Sequence, residues 1–419
     1  MGTGAPALTH PPVASPGPHA LFLINDLRMG GAERTLVNFV NHARSIRPSV
    51  VLIESAADLH RDLAEHVDVY SLENRHPSPL SSAELGAARD AAAGPRRGRP
   101  LGQTALELPA LMRKAWGLAH LARRTNAAVV STFLNRSHTI ALLAKLVFAP
   151  RMRIAINVHE MLSDHLARFF SPLERRFMQG FVRHAFPRAE IIIAVSEGVK
   201  QDLVRHFSIR AERIVVLPNP VDLERIRRLA TERVDDDVPR DGATIVAAGR
   251  LAHIKGFDLL IRAFARLRPS LHARLLIVGE GDQRAPLEAL IGELQLSDRV
   301  ALLGTRTNPW KYMARADVVA LASRSEAFPN VIGEALALGR PVIATECSPG
   351  VAEYLDHGRY GVLVPPNDVD ALATGLDRIL TDNELRRQLT ARAPSRVESF
   401  ALSRIVDRYE GLLLAAGRA

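Results

Sequence analysis

Two glutamates, Glu326 and Glu334, lie in the stretch "SRSEAFPNVIGEALALGRPVIAT", which runs from 323 to 345. The apolar segment before it and the segment "PVIAT" predict buried strands, and Asn330 is predicted to cap a short helix over 331–338. Glu326 would then precede a helix N-terminus, and Glu334 would lie inside the helix. Free backbone N–H groups between the two carboxylates favour an anion. The pattern therefore predicts a ligand with phosphate in its middle and hydroxyl groups at both ends.

Two cations occupy a second predicted loop ahead of a helix. The segment "GRLAHIKGFDLLIRAF" contains Arg250 and Lys255, and Lys255 stands at the helix entry. Two cations together with helix amides suit a diphosphate, although solvated loop cations are the alternative interpretation. The segment "GGAER", Gly30 to Arg34, is a glycine-rich turn that also enters a predicted helix, where backbone could approach a ligand closely.

The sequence does not predict a metal site. His159 and Glu160 begin a metalloprotease-like pattern, but Ser163 occupies the position of the second histidine. The paired aspartates Asp368 and Asp370 are expected at a helix start, where they would cap it. The aspartates at 235–237 fall in a predicted linker. We expect neither a metal nor a bound cofactor.

Length and composition indicate a globular chain of two domains. The chain has 419 residues, 47% of them hydrophobic, and its apolar runs are shorter than the roughly 18 residues needed to span a bilayer. The opening segment lacks a basic region followed by an apolar core, so we expect a disordered leader. Cys347 is the only cysteine. A single thiol favours a reducing compartment, and a cytoplasmic location is therefore expected.

The positive charge is concentrated in the first half of the chain. Residues 1–220 hold 27 lysines and arginines against 18 aspartates and glutamates, whereas residues 221–419 hold 27 of each. A basic half predicts an anionic partner, which could be nucleic acid, a phosphorylated acceptor or an acidic membrane surface.

Apolar strand patterns alternate with helical patterns in two successive series. Such alternation predicts parallel sheets, and two series predict an α/β protein with two doubly wound, Rossmann-like domains facing across a cleft. We expect a mobile insertion at 76–104. The predicted boundaries are a leader at 1–18, a first domain at 19–221, a linker at 222–242, a second domain at 243–397 and a C-terminal helix at 398–419 that could return to the first domain.

Most polar motifs fall at the ends of predicted strands. Ligands of open α/β sheets bind beyond the carboxyl ends of the strands, so a shared location there predicts one active site between the domains. The residues in question are Asp26, His159, Ser196, Asn219, Arg250 and Glu280.

The second half of the chain resembles the retaining glycosyltransferase family 4, which has the two-domain GT-B fold. The matching segments, which cover most of residues 214–368 in the family's order, are "PNPVD", "GRLAHIKGFDLLIRAF", "LLIVGEGD", "SRSEAFPNVIGEALALGRPVIAT" and "GVLVPPND". The segment "GGAER" is similar to a subset of the family that acts on bacterial surface polysaccharides and oligosaccharides.

The resemblance implies roles for individual residues. Glu334 would bind the ribose hydroxyls of a nucleotide, Glu326 the hydroxyls of the donor sugar, and Arg250 and Lys255 the donor diphosphate. His159 would lie near the sugar. Donor or nucleotide contacts are further expected at Gly249, Phe328, Pro329 and Asn330, and sugar or acceptor contacts at Gly30, Gly31, Glu33, Arg34, Ser196 and Asn219. Gly333 stands where the family often has a larger residue.

The expected activity is therefore retaining, metal-independent sugar transfer from a nucleotide-diphosphate sugar. UDP is the favoured nucleotide, and the acceptor would be a saccharide or a lipid-linked molecule at the inner face of a membrane. Aromatic residues and arginines at 164–188 favour contact with an anionic membrane, or else form an ordinary core helix with a solvated face. The alternatives are a sugar-nucleotide epimerase on the same fold and a basic nucleic-acid-binding protein.

Overall fold

The structure is a computed structural model that describes residues 17–28, 30–54, 59–74, 77–81, 84, 104–234 and 242–418. Most of the predicted leader at 1–18, most of the predicted insertion at 76–104 and the aspartates at 235–237 lie outside these ranges.

The first part of the chain forms a sheet of seven parallel strands in the order β3-β2-β1-β4-β5-β6-β7. Its strands are rich in Val, Ile, Leu and Phe and are buried on both faces, as parallel sheets require. They are β1 His19–Ile24, β2 Arg47–Leu52, β3 Asp68–Ser71, β4 Val129–Phe133, β5 Ile154–Val158, β6 Ile191–Ala194 and β7 Ile214–Val216.

Helices and short helical turns connect these strands. The helices are α1 Gly31–His42, α2 Thr104–Arg124, α3 Asn135–Leu143, α4 Leu162–Phe169, α5 Pro172–Ala185, α6 Glu197–Phe207 and α7 Leu223–Ala230. A π-helical turn at Ala144–Phe148 follows α3, and short 3-10 turns lie at His60–Asp62, Phe186–Arg188 and Ala211–Arg213.

The second part forms a six-stranded parallel sheet in the order β10-β9-β8-β11-β12-β13. Its strands are β8 Thr244–Ala248, β9 Arg274–Val278, β10 Val300–Gly304, β11 Val318–Leu321, β12 Val342–Thr345 and β13 Val362–Val364. Its helices are α8 Phe257–Ala265, α9 Arg284–Glu293, α10 Trp310–Met313, α11 Asn330–Ala337, α12 Pro349–Tyr354, α13 Val369–Thr381 and α14 Asn383–Val397, with 3-10 turns at His253–Lys255, Pro269–Leu271 and Glu398–Phe400.

The predicted fold class is confirmed, because both sheets are parallel and doubly wound. In each sheet the chain reverses its winding direction between two neighbouring strands, β1 and β4 in the first sheet and β8 and β11 in the second. The crevice outside the carboxyl ends of such strands is the usual ligand site of this architecture. The fold therefore offers two facing crevices.

The chain crosses between the sheets twice. Val221 accepts a backbone hydrogen bond from Leu402 at 3.0 Å and donates one to Phe400 at 2.8 Å, so the two crossings are joined. The segment from 222, predicted as linker, begins with α7, and the Asp222 carboxylate caps this helix. The predicted helix-capping role of Asp368 is likewise observed, at the start of α13.

The last helix, α15 Leu402–Arg418, packs on the first sheet. Its Tyr409 ring stacks on Phe39 of α1 at 4.0 Å between centroids, and its Glu410 carboxylate accepts backbone N–H bonds from Arg44 and Ser45 at 2.8 and 2.7 Å. The C-terminal helix therefore belongs to the core of the first sheet. Within the described ranges, no helix combines the length and apolarity needed to cross a membrane.

Candidate active site between the two sheets

A loop and a 3-10 turn after β8 carry the two predicted diphosphate ligands. Gly256 has φ +62°, and a Cβ there would lie 2.0 Å from the Ala322 carbonyl oxygen at the end of β11. Only glycine permits that backbone conformation and that close approach together. The turn His253–Lys255 is thereby pressed against the carboxyl end of β11.

Arg324, in the loop after β11, holds the turn His253–Lys255 in place. Its guanidinium donates to both oxygens of Asp258 at 2.8 and 2.7 Å and to the His253 carbonyl at 2.7 Å. Burial raises the pKa of Asp258, but the two bonds from Arg324 outweigh it and hold that pKa below its ordinary value. Such bidentate pairing gives a defined geometry, so Arg324 joins the loops after β8 and β11 in a fixed arrangement.

Lys255 and Glu326 contact each other directly. Lys255 Nζ lies 2.6 Å from Glu326 Oε1, and the Ser323 hydroxyl donates to the same oxygen at 2.6 Å. The Glu326 side chain is only 10% exposed, and these two partners offset part of the cost of burying a carboxylate. Arg250, in contrast, is exposed, and its guanidinium forms no hydrogen bond or ion pair with any described residue. One predicted cation is therefore paired, and the other is available to a ligand.

Helix α11 begins at Asn330, and its N-cap is Pro329. The prediction that Asn330 caps this helix is wrong, because its side chain points to the first domain. Its Oδ1 accepts a hydrogen bond from Asn219 at 2.8 Å, and its Nδ2 donates to the Gly31 carbonyl at 3.3 Å. An amide can donate and accept at once, which lets Asn330 bridge the two domains.

Two residues predicted on the sugar or acceptor side also join the domains. The buried Ser196 hydroxyl caps α6, accepting from Val199 N–H, and donates to the Ala327 carbonyl at 3.1 Å. The buried Asn219 amide donates to the Phe328 carbonyl at 3.3 Å. Both side chains thus hold the Glu326–Asn330 loop against the first sheet, and their contact with a sugar stays a prediction.

His159, at the end of β5, stacks on Phe133 with 5.1 Å between ring centroids. Burial lowers the pKa of His159 to about 4, and the nearby Asn219 side chain opposes this only in part. The imidazole is therefore neutral at pH 7. A neutral ring facing the cleft tolerates positive charge on a bound sugar, which an imidazolium would repel.

A second polar cluster lies next to His159. Glu160 accepts from Asn135 Nδ2 at 2.6 Å and lies 2.7 Å from His165 Nδ1. The Asp164 carboxylate, on α4 like His165, accepts a hydrogen bond from the Ser325 hydroxyl of the second domain at 2.9 Å. The carboxyl ends of β4 and β5 therefore present a polar wall opposite Glu326.

Glu334, one turn along α11, lines what we call the hinge pocket, defined by Arg34, Asn38, Asp222, Arg225, Trp310 and Glu334. Burial raises the pKa of the half-buried Glu334, while Arg34 and Trp310 act against this rise. Arg34 reaches the pocket from the first domain. The Asp62 carboxylate forms ion pairs with Arg34 and Arg225, at N–O distances of 2.8 and 3.0 Å.

The rest of the glycine-rich turn lies beside this pocket. A Cβ on Gly30 would lie 2.2 Å from Glu33 Oε2, so the buried Glu33 carboxylate fills the space that Gly30 leaves open. Gly31 contacts Asn330 across the cleft. The structure thus places Arg34, a predicted sugar or acceptor residue, beside the predicted nucleotide residue Glu334.

The packing at Gly333 explains its small size. A Cβ there would lie 2.1 Å from the Tyr354 hydroxyl oxygen and 2.7 Å from Val221 Cγ2. Tyr354 is fully buried and stacks on Phe328 with 4.1 Å between centroids. The tyrosine therefore takes the space where the family often has a larger residue on α11.

Several site residues were not anticipated from the sequence as cleft residues: Asp62, Asn135, Glu160, His165, Arg225 and Trp310. Asn135 and Glu160 follow predicted strands, so strand-end position could have identified them. Asp62, Arg225 and Trp310 belong to no recognised motif. Among the described residues, no group of three or more His, Cys, Asp or Glu side chains is arranged to hold a metal ion.

Comparison with known proteins identifies the family of this chain. The model for glycosyltransferase family 4 matches residues 29–225, and that for glycosyl transferases group 1 matches residues 230–396. A Campylobacter jejuni protein, N-acetylgalactosamine-N,N'-diacetylbacillosaminyl-diphospho-undecaprenol 4-alpha-N-acetylgalactosaminyltransferase, is 36% identical over 296 residues, covering 70% of this chain and 78% of that protein. The lipopolysaccharide core biosynthesis glycosyltransferase LpsE of Rhizobium meliloti is 34% identical over 188 residues, 45% of this chain and 54% of LpsE.

Solved structures share the fold. HepE of Anabaena in complex with UDP and glucose superposes with a TM-score of 0.73 at 22% identity, over 95% of this chain and all of that one. Sucrose-phosphate synthase from Thermosynechococcus elongatus gives a TM-score of 0.73 at 20% identity, over 95% of this chain and 100% of that one. The fold and cleft define a GT-B glycosyltransferase. The chain belongs to glycosyltransferase family 4.

Proposed function

We propose that the protein transfers a sugar from a UDP-sugar, with retention of anomeric configuration and without a metal, to a saccharide or lipid-linked acceptor. The observation that carries this proposal is the pairing of Lys255 with Glu326 at 2.6 Å beside the unpaired Arg250. Cations and a sugar-binding carboxylate meet there at the crevice of the second sheet. One named relative acts on a diphospho-undecaprenol substrate and the other in lipopolysaccharide core biosynthesis, which supports this class of product.

The chemical problem is the negative charge that develops on the departing diphosphate. Arg250, Lys255 and the free N–H groups at the start of α11 would stabilise it electrostatically. The sugar–phosphate C–O bond breaks while the acceptor oxygen bonds to the same face of the sugar carbon. The acceptor proton passes to the departing phosphate oxygen. The neutral His159 would border the developing positive charge on the sugar.

The same cations support metal independence. Two side-chain charges at the diphosphate perform the neutralisation that a divalent ion performs elsewhere. Activity should persist in EDTA. Loss of activity in EDTA with recovery on adding Mg²⁺ or Mn²⁺ would contradict this part of the proposal.

The acceptor would lie against the first sheet. The wall formed by Asn135, Glu160 and His165 offers carboxylate, amide and imidazole groups to sugar hydroxyls. The net positive charge of the first half suits an acceptor that carries phosphate.

A surface on α4 and α5 supports peripheral contact with an anionic membrane. Phe169, Leu173 and Phe177 are 50, 80 and 73% exposed, and the exposed Arg168 and Arg176 lie beside them. Apolar side chains flanked by arginines suit an interface with acidic lipids. The His165 and Phe169 rings are in contact, with 4.9 Å between their centroids. This surface therefore adjoins the polar wall at the carboxyl ends of β4 and β5.

Vesicle sedimentation tests this surface. Each basic contact near an anionic membrane contributes about 1 kcal/mol, so charge reversal at both Arg168 and Arg176 should lower partitioning at least tenfold. If the wild-type protein does not bind phosphatidylserine vesicles at low salt, the proposed membrane contact is contradicted. A water-soluble acceptor is then favoured.

A panel of UDP-sugars with product analysis tests the reaction itself. The proposal predicts UDP release with transfer of the sugar, and an NMR coupling constant showing the donor's anomeric configuration in the product. Release of an altered UDP-sugar would favour an epimerase, and turnover of another nucleotide's sugar alone would contradict UDP.

A further inference from the structure

Trp310, the first residue of α10, carries a buried donor that lacks a well-formed hydrogen bond. The side chain is only 5% exposed, and its Nε1 forms no hydrogen bond of good geometry with the described part of the chain, although the Glu334 carboxylate lies within its influence. Leaving a buried N–H unpaired costs about 1–3 kcal/mol, and native structures contain few such groups. A folded protein that keeps one usually has a use for it.

The position of the ring indicates what that use is. Trp310 lines the hinge pocket together with Glu334, and the indole lies near enough to act on the Glu334 carboxylate, lowering its pKa against the effect of burial. The Arg225 guanidinium lies over the indole at 5.8 Å from the ring centroid. Arg225 is itself held by Asp62 at 3.0 Å. The indole is thus held from its face by Arg225 and shares the hinge pocket with the Glu334 carboxylate.

We propose that Trp310 is a positioning residue that orients the Glu334 carboxylate for the ribose hydroxyls of a bound ribonucleotide. An indole N–H can only donate. It would engage one carboxylate oxygen and leave the other free to accept from the 2′-hydroxyl of the ribose. This rests on the proposed role of Glu334 in nucleotide binding, and it adds a residue that lies outside the stretch 323–345, which carries both Glu326 and Glu334.

The two tryptophans of the chain make a direct test possible. The other one, Trp116, lies on α2 and stacks on His120, outside the hinge pocket. In a Trp116→Phe variant, Trp310 is the single tryptophan. Titration with UDP should then change its fluorescence with the dissociation constant that calorimetry gives for the same variant.

The decisive comparison is UDP against 2′-deoxy-UDP. Wild type and Trp116→Phe should prefer UDP by the same factor, because their Glu334 is correctly oriented. Trp310→Phe keeps an aromatic ring but lacks the N–H, so it should bind UDP about tenfold more weakly, as expected for a lost hydrogen bond to a charged group. It should bind 2′-deoxy-UDP nearly as well as wild type does. A purely structural role would weaken both ligands equally.

Each outcome has a distinct meaning. Trp310→Phe with unchanged UDP affinity and unchanged preference over 2′-deoxy-UDP would overturn the positioning role while the proposed function stands. Equal weakening of both ligands would also overturn it. Wild type that binds no UDP would remove the proposed donor, and with it the basis for the role of Trp310.

Discussion

The two sheets have the same winding, yet their crevices differ in chemistry. At the ends of β8 and β11 the side chains are Lys255, Glu326 and Arg250, and Arg324 locks the two loops together. At the ends of β4 and β5 they are Asn135, His159 and Glu160, among which Glu160 is paired with Asn135 and His165. The first set suits a diphosphate, and the second suits uncharged hydroxyls.

The difference shows that the shared fold determines where each crevice lies, while the side chains of its loops determine which ligand groups it can bind. It also suggests a division of labour, with the donor on the second sheet and the acceptor on the first. The side chains of Ser196, Asn219 and Asn330 hold these two crevices face to face.

The largest effect should come from the second crevice. Lys255→Ala removes a charge-assisted bond worth about 1.5–3 kcal/mol and leaves Glu326 without its cation. We expect kcat to fall by at least about tenfold, and Arg250→Ala to behave similarly. The rate of UDP release from the donor measures it. Arg266→Ala is the control, since Arg266 pairs with Asp370 at the surface. Normal turnover in both site variants would contradict the diphosphate assignment.

The division of labour predicts a contrast in binding. Lys255→Ala should weaken UDP binding in calorimetry by about tenfold or more, while Glu160→Gln should leave it unchanged because Glu160 belongs to the other crevice. Glu160→Gln should instead slow transfer to acceptor. Weaker UDP binding in the folded Glu160→Gln variant would show that the two crevices do not act separately.

Even the smallest enlargement of the side chain at Gly333 should lower the stability of the protein. In Gly333→Ala the new methyl group would clash with the Tyr354 hydroxyl, and overpacking of this kind costs about 1–3 kcal/mol of unfolding free energy. Removing the hydroxyl by Tyr354→Phe should restore part of that loss, because Val221 still limits the space. Denaturant unfolding of the two single variants and the double variant measures the coupling. Strictly additive effects would contradict the packing described here.

Stability should also depend on pH through two histidines of the first domain, His138 on α3 and His159 directly after β5. Burial lowers the pKa of His138 to about 3 and that of His159 to about 4. In the unfolded chain both bind a proton below about pH 6.5. Their contribution is therefore complete above pH 6.5 and declines as pH falls toward 4, by about 1.4 kcal/mol per pH unit for each.

Denaturant unfolding between pH 7 and 5 measures this slope. His138→Gln should flatten it, whatever that change does to stability at pH 7. Substitution of the exposed His184 should leave it as it is. An unchanged slope in His138→Gln would show that His138 is not held neutral.

The smallest effect concerns Cys347. Burial, followed by the Glu326 charge, raises the pKa of this thiol to about 12, so very little thiolate exists at neutral pH. We expect slow labelling by iodoacetamide at pH 7.5 in the native protein and fast labelling after unfolding. Rapid labelling of the folded chain would show that the second crevice is more open than described.

The sequence predicts the second crevice better than the first. Motifs of local spacing, such as Arg250 with Lys255 and Glu326 with Glu334, depend on one loop and one helix each, so pattern alone places them. Asn330 was misassigned as a cap because its actual partners, Asn219 and Gly31, are distant in sequence. Contacts between domains leave no periodic signal.

Trp310 likewise has no local sequence pattern that marks it as a site residue. It is a buried aromatic residue in a short helix, and such residues ordinarily belong to the core. Its proximity to Glu334 depends on how α10 packs beside α11 and α7. Strand-end position agrees with the place of His159 directly after β5, and the same criterion applies to Glu160, the next residue.

A crystal structure with UDP is the most direct test of the division of labour. We predict the β-phosphate within hydrogen-bond distance of Lys255 Nζ and the Arg250 guanidinium, about 2.7–3.0 Å, with the ribose hydroxyls on Glu334. The Lys255–Glu326 contact would loosen as the phosphate takes its share of the ammonium group. UDP bound instead at Asn135, His159 and Glu160 would contradict the account.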